Sequence, residues 1–361
     1  MADKPAVVVT GISGNLGRRL ISQLVEFSIV GVDFRPPSVD LNLRFESMDL
    51  GREDSCHELL LLLRAVKAVA VIHLAFVIDP VQTGVLDLER MWQINVAGTA
   101  RVMEAVTEAN RDETVIQKFI FPSSVSAYGT ELPGPVNEDQ PLAGHTLPYA
   151  IHKTECDKVV QQRAPALRGC SVYMLRPHIL AGATVENYLL GAFRGSPNGT
   201  GKKATRMREQ GKRLPCMLPM GRRYLDNRIQ FVHVDDMARL IAFLVKKTDP
   251  EAQRLTILNV AGRGEPLTFE KCIDMAHARL RRVPGTLAFR SVLSFMWKSG
   301  ISAIPPEAWP YMTSEFIMNT DRLQKFLGPA YTDVIRYTIA DAYADSFRNR
   351  YAETAQRSAA G

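Results

Sequence analysis

The sequence predicts an α/β protein in which a doubly wound parallel sheet is joined to a smaller, mostly helical C-terminal lobe. Short apolar runs alternate with helical patterns through roughly the first 180 residues, which is typical of a parallel sheet covered on both faces. After Pro177 this alternation stops. Residues 262–350 have a mainly helical pattern that is interrupted by prolines.

The individual elements follow from apolar runs and helical periodicity. Strands are predicted at 6–10, 29–33, 44–48, 69–74, 118–122, 171–175 and 255–260. Helices are predicted at 15–26, 55–65, 88–109, 149–163 and 237–246. Residues 194–213 hold seven Lys or Arg and one acid among several glycines, so we expect an exposed or mobile loop there.

These patterns divide the chain into two parts. Residues 1–178 form the predicted parallel-sheet domain, to which 231–261 return. The smaller lobe comprises 179–230 and 262–350, and 351–361 are expected to form a flexible tail.

Composition excludes several classes of function. The chain has 361 residues, 46% of them apolar, and a net charge of +6 without a basic helix interleaved with aromatics, so nucleic acid is not an expected partner. Five scattered cysteines show no metal-site spacing. No secretory signal opens the chain, and the leucine run at 59–63 is soon interrupted by charge. We therefore expect a cytoplasmic protein that does not enter the membrane.

A glycine-rich turn marks the first functional site. Gly11, Gly14 and Gly17 follow the first strand and open the first helix, where a dinucleotide pyrophosphate can rest on free backbone N–H groups. Asp33 ends the next strand and can accept hydrogen bonds from ribose hydroxyls, which favours NAD in a Rossmann-type domain. Arg35 could pair with a 2′-phosphate, so NADP stays open.

A second site combines a tyrosine and a lysine. Tyr149 and Lys153 are four residues apart on a predicted helix, so the phenol and the ammonium lie on one face. The ammonium, together with an oxidised nicotinamide, is expected to lower the tyrosine pKa and make the phenol a useful acid or base.

Together these motifs resemble the extended short-chain dehydrogenase/reductases, the NAD-dependent epimerase/dehydratase family. The resemblance covers residues 5 to about 260 and occurs in the family's order. The matching segments are 10–17, 49–50, 73–75, 95–99, 123–129, 149–153, 176–177 and 231–236. Phe76 departs from the family pattern, which has a small residue at that position.

The resemblance implies roles for individual residues. The catalytic set is Ser124, Tyr149, Lys153 and Asn95. The implied cofactor contacts are Gly11, Ser13, Gly14, Asn15, Leu16, Gly17, Asp33, Arg35, Asp49, Leu50, Leu74, Ala75, Phe76, Asn95, Ser123, Tyr149, Lys153, Arg176, Pro177 and His178. Ser124, Ser126 and Arg228 are the expected substrate contacts.

The histidines have less prominent expected roles. His73 is interpreted as a structural or cofactor-adjacent group and His233 as a packed side chain, while His152 is expected to face solvent. The apolar stretch at 291–297 is interpreted as helical core packing, with a lid or an oligomer contact as alternatives.

Three functions remain open. The first is reversible hydride transfer at a secondary alcohol or ketone carbon in a nucleotide-sugar epimerase, whose diphosphate could meet lobe cations. Those cations are Arg194, Lys202, Lys203, Arg222, Arg223 and Arg228, although for 202–213 a solvated basic loop is the preferred interpretation. The second is a dehydrogenase or reductase of a non-nucleotide alcohol or ketone, and the third is a non-catalytic NAD-binding redox sensor. The resemblance also implies a small-molecule substrate and a homodimer.

Overall fold

The predicted α/β class is confirmed. The computed structural model describes residues 4–37, 40–78, 87–111, 113, 115–130, 132–249 and 255–348; the predicted tail at 351–361 lies outside them. The strands are β1 (Ala6–Thr10), β2 (Ser28–Asp33), β3 (Arg44–Ser47), β4 (Ala68–His73), β5 (Lys118–Pro122), β6 (Ser171–Pro177), β7 (Ile179–Ala181), β8 (Cys216–Pro219), β9 (Arg228–Ile229), β10 (Phe231–His233), β11 (Thr256–Val260), β12 (Leu267–Thr268) and β13 (Leu280–Val283).

The central sheet has seven strands in the order β11-β6-β5-β4-β1-β2-β3, and all neighbours are parallel. The chain leaves β1 toward β2 on one side and returns as β4 on the other. The carboxyl ends of β1 and β4 therefore border the switch point of the sheet, where ligands of doubly wound proteins bind.

Strand β1 shows why both faces of the sheet must be covered. All five of its residues are buried. Val7 and Val9 point into one apolar cluster and Val8 into another, as the period of two along a strand requires. Because a strand that is apolar on both faces cannot remain at a surface, helices pack against each side.

The helices also follow the sequence pattern, with shifted ends. They are α1 (Asn15–Gln23), α2 (Ser55–Val66), α3 (Leu88–Trp92), α4 (Gly98–Ala109), α5 (Pro148–Arg163), α6 (Tyr188–Arg194), α7 (Lys202–Glu209), α8 (Arg223–Asp226), α9 (Val234–Lys246), α10 (Phe269–Met275), α11 (Gly285–Lys298), α12 (Trp309–Thr313), α13 (Asp321–Leu327), α14 (Tyr331–Val334) and α15 (Ile339–Asp345). Leucines of α1 and most of α9 fill the first cluster, whereas α2, α4 and α5 fill the second.

The predicted helix over 88–109 is interrupted. A π-helical turn, Gln93–Ala97, separates α3 from α4. Such a turn inserts one extra residue into the helix and is frequent at functional sites. Here it contains Asn95, one of the predicted catalytic residues.

The expectation of a loop throughout 194–213 is wrong. Lys202–Glu209 form α7, which begins after Gly201 and buries Ala204. Gly201 N donates to Gly300 O at 2.9 Å, and Gly199 N donates to Ile301 O at 3.1 Å, so contacts with the turn after α11 hold the start of this helix. The predicted exposure is correct for Lys202 and Lys203.

Two further findings concern the described residues. Within them, no helix is long and apolar enough to cross a lipid bilayer. No group of three or more metal-ligating side chains converges in this part of the chain.

Candidate active site

The glycine turn brings three segments of backbone into close contact. Gly11 has φ +72°, and a Cβ added there would lie 2.6 Å from Ala75 N. A Cβ on Gly17 would lie 2.7 Å from Gly11 O. No side chain caps the start of α1 at Gly14. This cradle therefore presents the positive end of a helix to a ligand, which fits a bound pyrophosphate.

The predicted ribose-binding carboxylate borders this cradle. Asp33 ends β2, and its Oδ2 accepts a hydrogen bond from Ser13 N at 3.1 Å. Ser13 Oγ donates to Arg35 O at 2.8 Å. These two bonds fasten the glycine turn to the end of β2. Asn15 Nδ2 instead donates to Thr184 O at 2.6 Å, and Leu16 packs against the apolar core.

The predicted adenine-facing pair lies after β3. Asp49 accepts from Gly51 N at 3.0 Å and forms an ion pair with Arg90. Leu50 is buried, and its carbonyl accepts from Arg101 Nη1 at 3.2 Å. This loop is therefore fixed by protein contacts of its own.

His73, at the end of β4, is a buried structural link. Its Nδ1 lies 2.7 Å from Thr10 Oγ1 and its Nε2 lies 3.1 Å from Thr99 Oγ1. Burial lowers the pKa of His73 to about 3, so the ring is neutral at physiological pH. Thr10 Oγ1 also accepts from Ala75 N at 3.3 Å, which joins β1 to the segment containing Leu74, Ala75 and Phe76.

Asn95 clamps the segment that follows Phe76. Its Oδ1 accepts from Val77 N at 2.7 Å, and its Nδ2 donates to Val77 O at 3.1 Å. The same Nδ2 lies 3.2 Å from His152 Nδ1. Because an amide N–H can only donate, His152 Nδ1 is the acceptor and its proton is on Nε2.

The expectation that His152 faces solvent is wrong. Its relative exposure is 5%, and Trp92 packs edge-on against it with centroids 5.4 Å apart. Burial lowers its pKa. The π turn and α3 together cover this face of α5, which a helix-by-helix pattern does not reveal.

Ser124, Tyr149 and Lys153 converge at the carboxyl end of β5. Ser124 is buried, and its side chain lies beside Tyr149, where it favours the ionised form of the phenol. Lys153 Nζ donates to Pro122 O at 2.8 Å and lies 6.0 Å from the centre of the Tyr149 ring. The four-residue spacing on α5 thus places the phenol and the ammonium on one face, as the sequence predicts.

Phe76 closes one side of this group. The Lys153 Nζ atom lies 3.7 Å from the Phe76 ring centre, a favourable cation–π distance. The same ring meets Tyr149 edge-on, with centroids 5.7 Å apart and planes at 83°. The residue that departs from the family pattern therefore contacts both catalytic candidates.

The electrostatics of the pair differ from the sequence-based expectation. Burial raises the pKa of Tyr149, and the Ser124 side chain only partly opposes this. Burial also lowers the pKa of Lys153 to about 8. The protein alone therefore does not lower the Tyr149 pKa, because desolvation outweighs the opposing contribution of Ser124.

Arg176, predicted as a cofactor contact, forms a buried ion pair behind the site. Its Nε and Nη2 donate to the two Asp157 oxygens at 2.8 and 2.9 Å, and the two side chains are 2% and 0% exposed. Asp157 Oδ2 also accepts from Ser123 Oγ at 2.9 Å. Arg176 Nη1 donates to Tyr128 OH at 2.8 Å.

The neighbours of Arg176 are also held inside the protein. Pro177 ends β6. His178 is buried, accepts from Ile179 N at 2.9 Å through Nδ1, and its Nε2 lies 3.1 Å from Phe316 O. Burial lowers the pKa of His178 to about 3. The side chains of Arg176 and His178 are thus occupied by protein partners.

Of the predicted substrate contacts, Ser124 and Ser126 lie together, whereas Arg228 has an acidic partner of its own. Ser126 follows Ser124 in a short 3₁₀ turn, and its N–H donates to Ser124 Oγ at 3.1 Å. Arg228 instead pairs with Glu315: Nη2 donates to Oε1 at 2.9 Å and Nε donates to Oε2 at 3.1 Å.

His233, expected to be packed, is buried and stacks on Tyr337 with centroids 3.7 Å apart.

Comparison with known proteins identifies the family of this chain. A sequence model of the NAD dependent epimerase/dehydratase family matches residues 7–261, more than half of the chain. The chain belongs to this family. The match contains the glycine turn, Ser124, Tyr149 and Lys153, and it ends one residue after β11.

Two similar proteins show how far the sequence likeness extends. UDP-glucose 4-epimerase from Erwinia amylovora is 33% identical over 75 residues, which is 21% of either chain; the match thus spans about a fifth of that relative. The UDP-glucose 4-epimerase structure from Thermotoga maritima, solved with UDP-glucose, has a TM-score of 0.66 at 16% identity, covering 96% of this chain and 99% of the other.

A second solved structure has the same fold. UDP-glucuronic acid 4-epimerase from Bacillus cereus, in complex with UDP-glucuronic acid and NAD, has a TM-score of 0.63 at 15% identity, covering 95% and 99% of the two chains. At these identities the likeness establishes the architecture of this family member.

Two site residues are missing from the sequence-based set. Asp157 lies one turn beyond Lys153, and this spacing was a usable signal because it repeats the interval from Tyr149 to Lys153. Thr99 belongs to the matching segment 95–99 but has no predicted role of its own; its hydroxyl donates to Asn95 O at 2.6 Å and lies 3.1 Å from His73 Nε2. No local pattern indicates that link, because it depends on the π turn.

We expect Arg176→Ala to lower the free energy of unfolding by about 3–5 kcal/mol, because it leaves the Asp157 carboxylate buried with too few partners. Urea unfolding of the variant measures this loss. Arg44→Ala is the control, since it removes an ion pair whose two side chains are largely exposed. Equal unfolding midpoints for Arg176→Ala and the wild type would contradict the assigned role of the pair.

We expect Lys153→Met to stabilise the protein by about 1–3 kcal/mol at pH 7, because an apolar side chain avoids the cost of burying an ammonium. The Lys153 pKa falls from 10.5 to about 8 on folding. The free-energy cost of burying the ammonium is therefore at its full value below pH 8 and decreases as the pH rises toward 10.5. Urea unfolding at several pH values should show the advantage of the variant shrinking across this interval; a less stable variant at pH 7 is the contrary result.

Proposed function

We propose that the protein catalyses NAD-dependent, reversible hydride transfer at a secondary alcohol or ketone carbon. The observation that supports this most directly is the convergence of the Ser124 hydroxyl, the Tyr149 hydroxyl and the Lys153 ammonium beside the switch point of the sheet. Two hydroxyls that lie side by side can hold one substrate oxygen between them.

The cofactor would extend from the glycine turn to Lys153. The cradle formed by Gly11, Gly14 and Gly17 suits a pyrophosphate, and Asp33 suits ribose hydroxyls. Because a carboxylate repels a 2′-phosphate, Asp33 supports NAD rather than NADP. NAD, when bound, exchanges a hydride with the substrate carbon, and its oxidised form adds a positive charge to the site.

The proton of the reaction belongs to Tyr149. Because burial raises its pKa, Tyr149 is protonated at neutral pH in the protein alone and can donate to a ketone oxygen. In the reverse direction it must release that proton before it takes one from an alcohol. The Lys153 ammonium favours the phenolate, and Ser124 holds the same oxygen in place.

Two finer versions of this reaction are possible, and nucleotide-sugar epimerisation is the first. The curated relative and the two solved structures described above are 4-epimerases of UDP-sugars, which supports that reaction type. A dehydrogenase or reductase of a non-nucleotide alcohol uses the same three residues and exchanges its cofactor in each cycle. Dehydration is disfavoured, because Val125 and Ser126 follow Ser124 where a dehydratase needs an additional acid.

We expect Tyr149→Phe to reduce turnover at least a hundredfold, because the variant has no hydroxyl to transfer the proton. The Kd for NAD, measured by calorimetry, should change little. Tyr331→Phe is the matched control, since Tyr331 packs against the first apolar cluster on the opposite side of the sheet. Turnover that persists in Tyr149→Phe would reject the assigned role.

A further inference from the structure

Tyr149 packs in an apolar cluster formed by α5, α11, α12 and their neighbours. We call it the Tyr149 cluster; its buried members are Leu147, Ala150, Phe289, Leu293, Ile304, Ala308 and Met312, and its partly buried members include Tyr149, Tyr188, Met217, Trp309 and Tyr311. The members that keep some exposure are mainly aromatic. Such side chains provide contact area for apolar ligands.

Helix α11 is the cover of this cluster. Its inner residues Phe289 and Leu293 are 1% and 2% exposed and pack in the same cluster as Leu147 and Ala150, which flank Tyr149 in sequence. Its outer residues Leu287 and Phe295 are exposed. The predicted interpretation of 291–297 as core packing thus applies to the inner face only.

Further aromatic side chains pack near Tyr149 and Ser124. Phe76 meets Tyr149 edge-on. Tyr311 stacks on Phe316 with centroids 5.9 Å apart, and Phe316 packs with Val125 directly after Ser124. The Tyr311 hydroxyl is already bonded to the backbone of His145 at 2.9 and 3.0 Å, so its ring is the part left for contact.

Three of the four arginines expected to meet a diphosphate are paired with acids, whereas Arg223 donates to Tyr224 OH at 2.7 Å. Arg228 donates to both oxygens of Glu315, and its own backbone N–H donates to Glu315 Oε2 at 3.1 Å. Hydrogen bonding to Arg228 lowers the pKa of Glu315, so this carboxylate is ionised at neutral pH. A diphosphate at Arg228 would have to displace an anion that is already held by three hydrogen bonds.

Two other lobe arginines are similarly paired. Arg222 donates to both oxygens of Glu270 at 2.8 and 2.6 Å. Arg194 donates to Glu186 at 2.7 Å and to Ser346 O at 2.9 and 3.1 Å. Lys202 and Lys203 lie exposed on α7. Neutralised guanidinium groups give a diphosphate little to bind.

We propose that the substrate is an uncharged, largely apolar secondary alcohol or ketone rather than a nucleoside diphosphate sugar. The reacting carbon lies beside Ser124 and Tyr149, and the alkyl or ring portion packs on the aromatic members of the Tyr149 cluster. The identity of the reaction rests on the function proposed above. The binding preference rests on the cluster and the arginine pairs alone.

Calorimetry on the full chain loaded with NAD⁺ tests this preference without requiring turnover, because a ketone cannot react with the oxidised cofactor. The probes are straight-chain methyl ketones of six, eight and ten carbons, together with UDP-glucose. We expect the Kd of the ketones to fall about tenfold for each added pair of methylene groups, since each buried methylene contributes a similar increment. UDP-glucose should give no saturable heat.

Two variants locate the effect. Trp309→Ala removes an aromatic member of the cluster and should weaken the ten-carbon ketone about tenfold more than the six-carbon ketone. Trp297→Ala, on the same cover helix but outside the cluster, should leave both unchanged. Thermal unfolding of each variant with NAD⁺ shows whether the fold and the cofactor site survive; if Trp309→Ala unfolds, the wild-type ketone series alone decides.

The outcomes separate the two proposals. Saturable binding of UDP-glucose, a ketone Kd that does not depend on chain length, or no ketone binding overturns the apolar-substrate inference. The two proposals can also fail separately. If the ketones bind as expected but Tyr149→Phe retains turnover, the apolar-substrate inference stands and the proposed role of Tyr149 is rejected.

Discussion

A lysine ammonium that is taken out of water at the end of a central strand is the constraint on which the site depends. The nearest partners of Lys153 Nζ are Pro122 O, at 2.8 Å, and the Phe76 ring centre, at 3.7 Å; the Phe121 ring centre lies 5.0 Å away. Removing a charge from water costs free energy unless well-placed partners inside the protein compensate for the lost hydration. Much of the neighbouring structure holds those two partners in place: Asn95 clamps Val77 next to Phe76, and β5 is paired on both sides.

Helix α5 sets the spacing of the functional groups. Tyr149, Lys153 and Asp157 follow one another at intervals of four residues, so all three lie along one face. Tyr149 meets Ser124, Lys153 meets the end of β5, and Asp157 binds both Ser123 and Arg176. The ion pair therefore fixes both the helix and the serine segment, and so fixes their relative position.

Much of the fold is predictable from local pattern. Strands β1 and β5 have the predicted bounds, because a continuous apolar run between turn residues leaves little choice. The π turn around Asn95 was not predictable, since it depends on contacts with Val77 and His152 that come from other elements. The sequence pattern does not predict helix α7 for a related reason: the start of the helix is fixed by Gly300 and Ile301, about a hundred residues away in sequence.

The site shows the same division. The four-residue spacing predicts Tyr149 and Lys153 on one helix face, and family resemblance adds Ser124 to the candidate site. The burial of individual side chains was not predictable from the sequence. Burial raises the pKa of Tyr149, and it encloses His152 and Arg176, which were expected to meet solvent and the cofactor. Family resemblance indicated a phosphate-binding role for Arg228, whereas Glu315, a residue 87 positions away, occupies its guanidinium.

The most direct test of this account is a crystal structure of the protein with NAD⁺ bound. We expect Lys153 Nζ within hydrogen-bonding distance of a nicotinamide-ribose hydroxyl, with the Tyr149 and Ser124 hydroxyls facing the reactive carbon of the ring. A cofactor that leaves Lys153 enclosed between Phe76 and Pro122, with its nicotinamide away from Tyr149, would contradict it.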